Sequence, residues 1–499
     1  GGGPAGGVVA VGGLYAVDQV AAGGAHTCAL DAAGQVWCWG SNEFGQLGGG
    51  PTGSGAAQAK PMLVAASAAK PKGALCGAPG FCDDGDPCTA DTCNPVTGQC
   101  DHPPAKDGAP CGGSGSAKVC AAGACKTPWA VELALGFGFS CARKPSGAVY
   151  CWGSNGDGNL GAGLDTSKSS YIPIAVTGFG SGGAVSLAAA DKQVCAVKTD
   201  GKVMCWGSSF SGALGNPAAA YSQTVPIEVV GLTDKVAVTV GTDGACAWNA
   251  AGALHCWGRN DKGQAGTGTV SSTSPTFYAT PQAVAGGLGG VKAAVTGDVH
   301  TCAIGSGSKL WCWGEDSGAL GLASPTGQSQ PTPQQISLAP LVQSIAANAA
   351  TTFVVDTSGI VRAWTGDANY GAPGHYLPSA AKSAAAVPVP VVGKATSLVA
   401  RGGFVCAKLV DGRVACWGYN ANGECTGNDK HALAARPAML HGLVGAERIY
   451  AGKTHACALL GDGSLACWGD NYQGQYGNGA YNTTPPKGVT YVPGTGPGP

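Results

Sequence analysis

The feature that most constrains this chain is a short string that keeps returning. Residues 28–40 read Cys28, then Ala-Leu-Asp-Ala-Ala-Gly-Gln-Val-Trp, then Cys38, Trp39 and Gly40. The pattern recurs with first cysteines at Cys141, Cys195, Cys246, Cys302, Cys406 and Cys457, and second cysteines at Cys151, Cys205, Cys256, Cys312, Cys416 and Cys467. A further copy, 353–364, has Phe353 and Ala363 where the cysteines would stand, which makes eight copies in all. After the second copy, successive starts lie 51 to 56 residues apart. Repeats of this period are the mark of solenoids and propellers, because one unit alone cannot bury its own apolar face.

Six residues after each first position stands a glycine (Gly34, Gly147, Gly201, Gly252, Gly359, Gly412, Gly463), or Ser308 in the fifth copy. A glycine there supplies the left-handed position of a hairpin turn. On either side the residues alternate, Cys28 and Leu30 facing Val36 and Cys38, which is strand patterning. A β-branched or aliphatic segment precedes each hairpin (18–21, 185–187, 235–240, 447–450), and a Pro-led strand follows it (172–176, 225–230, 387–392, 485–491). Four short strands per period predict an all-β chain, a β-propeller of four-stranded blades. The repeat count gives eight blades; seven follow if the cysteine-free copy or a terminal copy stands outside the ring. The last Pro-led strand has no hairpin after it, so the two termini are expected to share a blade and close the ring. The expected organisation is a tail and first blade over 1–70, an inserted module over 71–128, the remaining blades over 129–492 and a tail over 493–499.

Residues ten apart across such a hairpin face each other, with Cα atoms about 4.5 to 5.5 Å apart, within reach of a disulfide. The loss of both cysteines together in the sixth copy is what bonded partners would show. Seven disulfides within blades are therefore expected: Cys28–Cys38, Cys141–Cys151, Cys195–Cys205, Cys246–Cys256, Cys302–Cys312, Cys406–Cys416 and Cys457–Cys467. Thiolate metal sites are the competing reading, but His26, His300 and His455 accompany only three of the pairs. Residues 76–125 break the period with Cys76, Cys82, Cys88, Cys93, Cys100, Cys111, Cys120 and Cys125. Nearly devoid of apolar residues, this disulfide-rich insert is held by disulfides whose pairing the sequence leaves open. Its Asp83, Asp84, Asp86 and Asp91 surround a Gly-containing turn and are a calcium candidate, the bland alternative being a solvated loop. No other cofactor is expected. Cys425 stands where other copies have Leu47, Leu160, Leu214 and Leu320, and reads as a buried free thiol, with an intermolecular bridge as the alternative.

Charged residues are only 11% of the chain, and 28 Lys plus Arg nearly cancel 29 Asp plus Glu, which excludes a basic footprint for nucleic acid. No apolar run is long enough to span a bilayer. The chain opens at Gly1 with neither a charged n-region nor an apolar h-region, so any export signal is read as removed. The cysteines then place the protein outside the cell or on its surface. Ser67-Ala-Ala-Lys70 and Ser379-Ala-Ala-Lys382 match Ser-x-x-Lys but lie in Ala-rich connections without companion motifs, and no nucleophile elbow, phosphate loop or His-Glu-x-x-His occurs. The chain reads as a non-enzyme.

The Trp39-Gly40-Ser41-Asn42 and Gly45-Gln46-Leu47-Gly48 that follow the first hairpin return as Trp152-Gly153-Ser154-Asn155, Trp257-Gly258-Arg259-Asn260, Trp417-Gly418-Tyr419-Asn420 and Trp468-Gly469-Asp470-Asn471. In this the chain resembles the regulator of chromosome condensation repeat, whose members form β-propellers, most often of seven blades. It departs from the nuclear members in its cysteine pairs and its lack of basic patches, so none of their functional residues carries over. The resemblance extends to extracellular bacterial relatives that bind proteins, including β-lactamase inhibitors, and the insert resembles cysteine-rich modules of bacterial surface proteins. The expectation is a secreted or cell-surface protein-binding scaffold. Its partner is a protein, with copies of itself forming a fibre or surface layer included, and its sparse charge fits a covered face. An inhibitor of a secreted enzyme is the alternative, and a glycan-acting enzyme in the axial channel a remoter one. The variable connections at 49–60, 166–171, 216–223, 269–280, 324–335 and 370–386 are the expected binding loops.

Overall fold

Glycine placement and alternation produce the expected meander. A computed structural model describes residues 17–22, 25–31, 36–43, 47, 58–64, 82–93, 99–105, 109–111, 118–121, 123–180, 182–271, 276–322, 327–365, 383–391, 393–426, 433–482 and 488–492. It contains eight four-stranded sheets, each built from four consecutive strands in sequence order, and two small sheets in the cysteine-rich segment. The expected positions Cys76, both Ser-x-x-Lys strings, most of the 49–60 and 370–386 loops and both chain ends lie outside the described residues.

The chain divides into two compact units, 1–106 with 122–124, and 107–121 with 125–499. The first unit holds the sheet of Val17–Ala22, His26–Asp31, Val36–Gly40 and Gln58–Leu63. Its Trp39 is half-buried and its Val20 exposed. The other seven four-stranded sheets lie in the second unit and are called blades 1 to 7, spanning 132–175, 184–228, 235–283, 293–336, 342–388, 395–439 and 446–491. The innermost strand of each blade packs on that of the next, and that of blade 7 returns to blade 1. These seven sheets therefore close a ring among themselves.

Ring closure differs from the shared-blade expectation. The last strand, Thr490–Tyr491, pairs within blade 7, and Val17–Ala22 pairs within its own sheet. The seam is closed by packing instead. The repeat tryptophan of every blade is 2% exposed or less, and in six of the seven it sends its indole N–H to a backbone carbonyl of the preceding blade: Trp206 to Asn159, Trp257 to Ala213, Trp313 to Gln264, Trp364 to Ala319 and Trp468 to Glu424, at 2.7–2.9 Å. Trp152 of blade 1 makes the same bond to Gln475 of blade 7 at 2.8 Å. One unit of the repeated contact thus joins the ends of the ring. A buried indole needs a partner for its N–H, and the carbonyl supplies it while the ring fills the space between blades.

The Trp-Gly pair works as a unit. After Cys205 the register shifts, and Gly207 adopts φ +97°; a Cβ there would stand 2.3 Å from the carbonyl oxygen of Lys192. Glycine is therefore required where the third strand shifts register against the fourth while lying close over the start of the second.

All seven cysteine pairs that span a repeat hairpin are bonded, with Cα atoms 4.0–4.1 Å apart. In blade 5 the place of the bridge is taken by Phe353 opposite Ala363, both fully buried, with Phe353 edge-on to Trp417 of blade 6. In the insert, Cys82 bonds Cys100 and Cys111 bonds Cys125. Cys88 and Cys120 are also disulfide-bonded.

Cys425 is a free thiol, fully buried in the core between blades 6 and 7 beside Trp468. Its amide donates to Asn420 Oδ1, as Leu160 does to Asn155, so it fills the leucine position of the repeat. Burial pushes its pKa well above the usual thiol range. A thiol-specific reagent is expected to leave the native protein unlabelled and to label one thiol per chain on unfolding without reductant; rapid labelling of native protein would contradict this packing.

Candidate functional site

The strand directions give the ring two unlike ends. First strands run to second strands, and third to fourth, at one end, which therefore carries the long variable connections. Tight second-to-third hairpins and the links between blades lie at the other. Among the described residues, the long-loop end exposes the aromatic side chains Phe137, Tyr171, Phe210, Tyr221, Tyr472 and Tyr481, while the exposed apolar residues of the opposite end are mostly single aliphatics such as Val410 and Val444. Tyr171 of blade 1 and Tyr481 of blade 7 stack across the seam at 5.0 Å between ring centroids. Phe210 and Tyr221 line a cleft of about 300 Å³ with Asp191, Lys192 and Asp243.

The axial channel opens on this same end. In blades 2, 5 and 6 the innermost strand is paired one residue further before it turns: Ala190 with Gln193, Asn348 with Thr351, and Arg401 with Phe404. The turns that follow begin at positive φ, at Asp191 (30°), Ala349 (25°) and Gly402 (57°). That extra rung places Asn348 and Arg401 at the end of the channel. Asp191, Asp298, Asn348, Arg401, Tyr419 and Lys453 line a cavity of about 390 Å³ there. Deeper, the innermost strands enclose a second space of about 260 Å³, which Arg401 also lines.

Arg401 crosses the channel. From blade 6 its guanidinium donates to the carbonyl of Thr296 on blade 4 and of Val240 on blade 3, both at 3.4 Å. Those bonds are long, and among the described residues Asp191 and Asp298 act on the guanidinium through space without a direct ion pair. At the rim, Lys453 of blade 7 pairs with Asp191 of blade 2 at 3.1 Å and lies over the ring of Phe137. Asp298 accepts a hydrogen bond from Thr242, and Asp243 faces Arg259 at 3.7 Å.

His300 and His455, two residues before a cysteine, are fully buried and join blades rather than metal. His300 Nε2 meets Thr352 Oγ1 of blade 5 at 2.8 Å, and His455 Nε2 meets Ser140 Oγ of blade 1 at 2.9 Å. Burial holds their pKa values down, to about 4 and about 3. Blade 2 uses Gln193 at the same position, donating to Gly241 and Gly244 of blade 3.

The four aspartates of the calcium candidate are not brought together. Asp83 and Asp86 accept backbone N–H groups of Gly85 and Cys88 within their own turns. Asp84 and Asp91 instead meet His102 Nδ1 at 3.3 and 2.8 Å. His102, which the sequence leaves without a partner, replaces two of the four aspartates in the cluster, and an imidazole is a poor ligand for calcium. Among the described residues, no nucleophile stands beside a base at the channel mouth.

Two models of the regulator of chromosome condensation (RCC1) repeat match the chain, one at residues 17–46, 130–159 and 447–475, the other at 33–78, 146–197 and 251–304. The chain carries RCC1 repeats. Human E3 ubiquitin-protein ligase HERC2 is 28% identical over 363 residues, which are 69% of this chain and 7% of that protein. The guanine nucleotide exchange factor SRM1 of Saccharomyces cerevisiae is 25% identical over 69% of this chain and 68% of its own. The crystal structure of human WBSCR16 superposes with a TM-score of 0.60 at 18% identity, covering 69% of this chain and 94% of that one, and supports the propeller fold. The RCC1-type propeller fits a protein-binding scaffold.

Proposed function

We propose that the protein is a non-enzymatic, secreted or cell-surface scaffold that takes up a protein partner on the long-loop end of its ring, and that copies of the same chain are among its partners. The observation that carries this reading is the concentration of exposed Phe and Tyr on one end, beside clefts and mixed charge. Aromatic residues are enriched at protein interfaces because they bury large areas at little entropic cost. The sparse charge of the chain suits a surface that is covered in use. Seven hairpin disulfides suit an oxidising compartment, in keeping with the resemblance to extracellular bacterial relatives and their cysteine-rich modules.

Sedimentation of the non-reduced protein over a range of concentrations tests the reading. Mass-action growth beyond the monomer is expected, weakened at least tenfold by the pair Phe210→Ser and Tyr221→Ser, as for loss of about 1.4 kcal/mol or more at an interface. Monomers throughout would remove self-assembly and leave a foreign partner, such as a secreted enzyme.

A further inference from the structure

The axial cavity at the long-loop end contains a buried guanidinium with no carboxylate in direct contact, Asp191 and Asp298 of the same rim acting on it only through space. We infer that the cavity is a receptor for a carboxylate group, held by the Arg401 guanidinium with help from the Asn348 amide. The inference deepens the proposed binding role of this end of the ring and rests on it only where the carboxylate belongs to a docked protein.

Arg401 is 9% exposed, and its five N–H donors make only two long bonds, both to backbone carbonyls. Buried charges are normally paired, because an unpaired one loses its hydration without compensation. Burial accordingly pushes the guanidinium below its usual pKa range. A second polar group on the same wall also lacks a partner: Asn348, 3% exposed, has an unbonded Nδ2. A bidentate carboxylate would satisfy the guanidinium fork, and the amide N–H is a natural additional donor. The rim does not oppose an anion strongly, since Asp191 is already paired with Lys453 and Asp298 is exposed to solvent. The cavity volume, about 390 Å³, is within the range of small-ligand sites, roughly 300–1,000 Å³. The group can be supplied by a small free acid or by an acidic side chain of a protein seated on the long-loop end.

Arg401→Met tests the assignment, because it keeps much of the side-chain volume and removes a buried charge that has no direct ion pair. It is expected to fold with undiminished thermal stability; a large loss of stability would make Arg401 a structural crossbar and overturn the proposal. Calorimetric titration of the full chain would use propionate and glutarate, with propionamide as the uncharged control. It would also use the blocked peptide Ala-Ala-Asp-Ala-Ala beside its Asn counterpart. Binding of the acids but not the amide, weakened roughly ten- to a hundredfold in Arg401→Met, is expected for a free-acid site. Binding of the Asp peptide alone, equally dependent on Arg401, assigns the group to a docked protein. Binding by neither class, or binding indifferent to Arg401→Met, would overturn the inference. Self-assembly is read separately by sedimentation, so failure of either idea leaves the other standing.

Discussion

Trp152→Ala should lower the stability of the ring by about 3–5 kcal/mol, the usual cost of removing a buried aromatic side chain. The indole is 1% exposed, packs edge-on to Trp129 and is bonded to Gln475 across the one junction where the chain does not continue from blade to blade. Its loss leaves a cavity at the seam and removes one of the two donors to the Gln475 carbonyl, Ser140 Oγ being the other. Against a typical total of about 5–15 kcal/mol, that is a large fraction. Trp39→Ala is the control, because Trp39 has the same place in the repeat but is half-buried and lies in the other unit. Denaturant titration under non-reducing conditions should show the ring transition moving for Trp152→Ala and staying in place for Trp39→Ala. Equal responses would mean that the seam is not closed as described.

The second large effect is acid destabilisation through His300 and His455. Both are neutral when folded, with pKa values of about 4 and about 3, while the unfolded chain takes up protons near pH 6.5. Because the folded pKa values are depressed, the unfolded state binds more protons below 6.5, and stability falls as pH drops from there toward 3. Each tenfold difference in proton affinity between the folded and unfolded chain is worth about 1.4 kcal/mol, so the losses reach about 3 kcal/mol for His300 and about 5 kcal/mol for His455. Glu132 and Glu424, whose carboxyl pKa values burial raises above the ordinary carboxyl range, oppose the slope by favouring the protonated folded form. Replacing both histidines by Gln, the residue blade 2 already uses at this position, should flatten the profile between pH 6.5 and 4 while preserving stability at pH 8. An unchanged slope in the double variant would place the acid sensitivity elsewhere.

Much of this architecture is legible in the repeat. The Cys-x9-Cys spacing defines the hairpin and its bridge, the glycine marks the turn, and one tryptophan per period in a fixed place implies packing between like units. Those signals are local and recur in nearly every copy, including residues 28–40, whose sheet belongs to the other unit. Ring membership depends instead on what faces each sheet, and the local pattern of Cys28, Cys38 and Trp39 does not encode that. The seam is hidden for the same reason, since Gln475 and Trp152 are 323 residues apart. Arg401 leaves a fainter trace. It sits immediately before Gly402-Gly403, at the end of an apolar segment where a charge is out of place, but its depth in the channel depends on the extra rung of pairing with Phe404. Spacing alone puts His300 and His455 on the cysteine face of their strands, whereas their hydroxyl partners belong to neighbouring blades. The acidic turn shows its aspartates in sequence but not which of them His102 gathers.

The account turns on the long-loop end being the surface that meets other proteins. Electron microscopy of the non-reduced protein, raised through the concentrations at which it sediments as more than a monomer, tests this most directly when the particles are resolved well enough to tell the two ends of the ring apart. The prediction is rings joined through the end that carries Phe210 and Tyr221, and single rings for the double serine variant. Assemblies joined through the tight-hairpin end or the rim, with the aromatic end left open and the variant assembling like the parent, would contradict it.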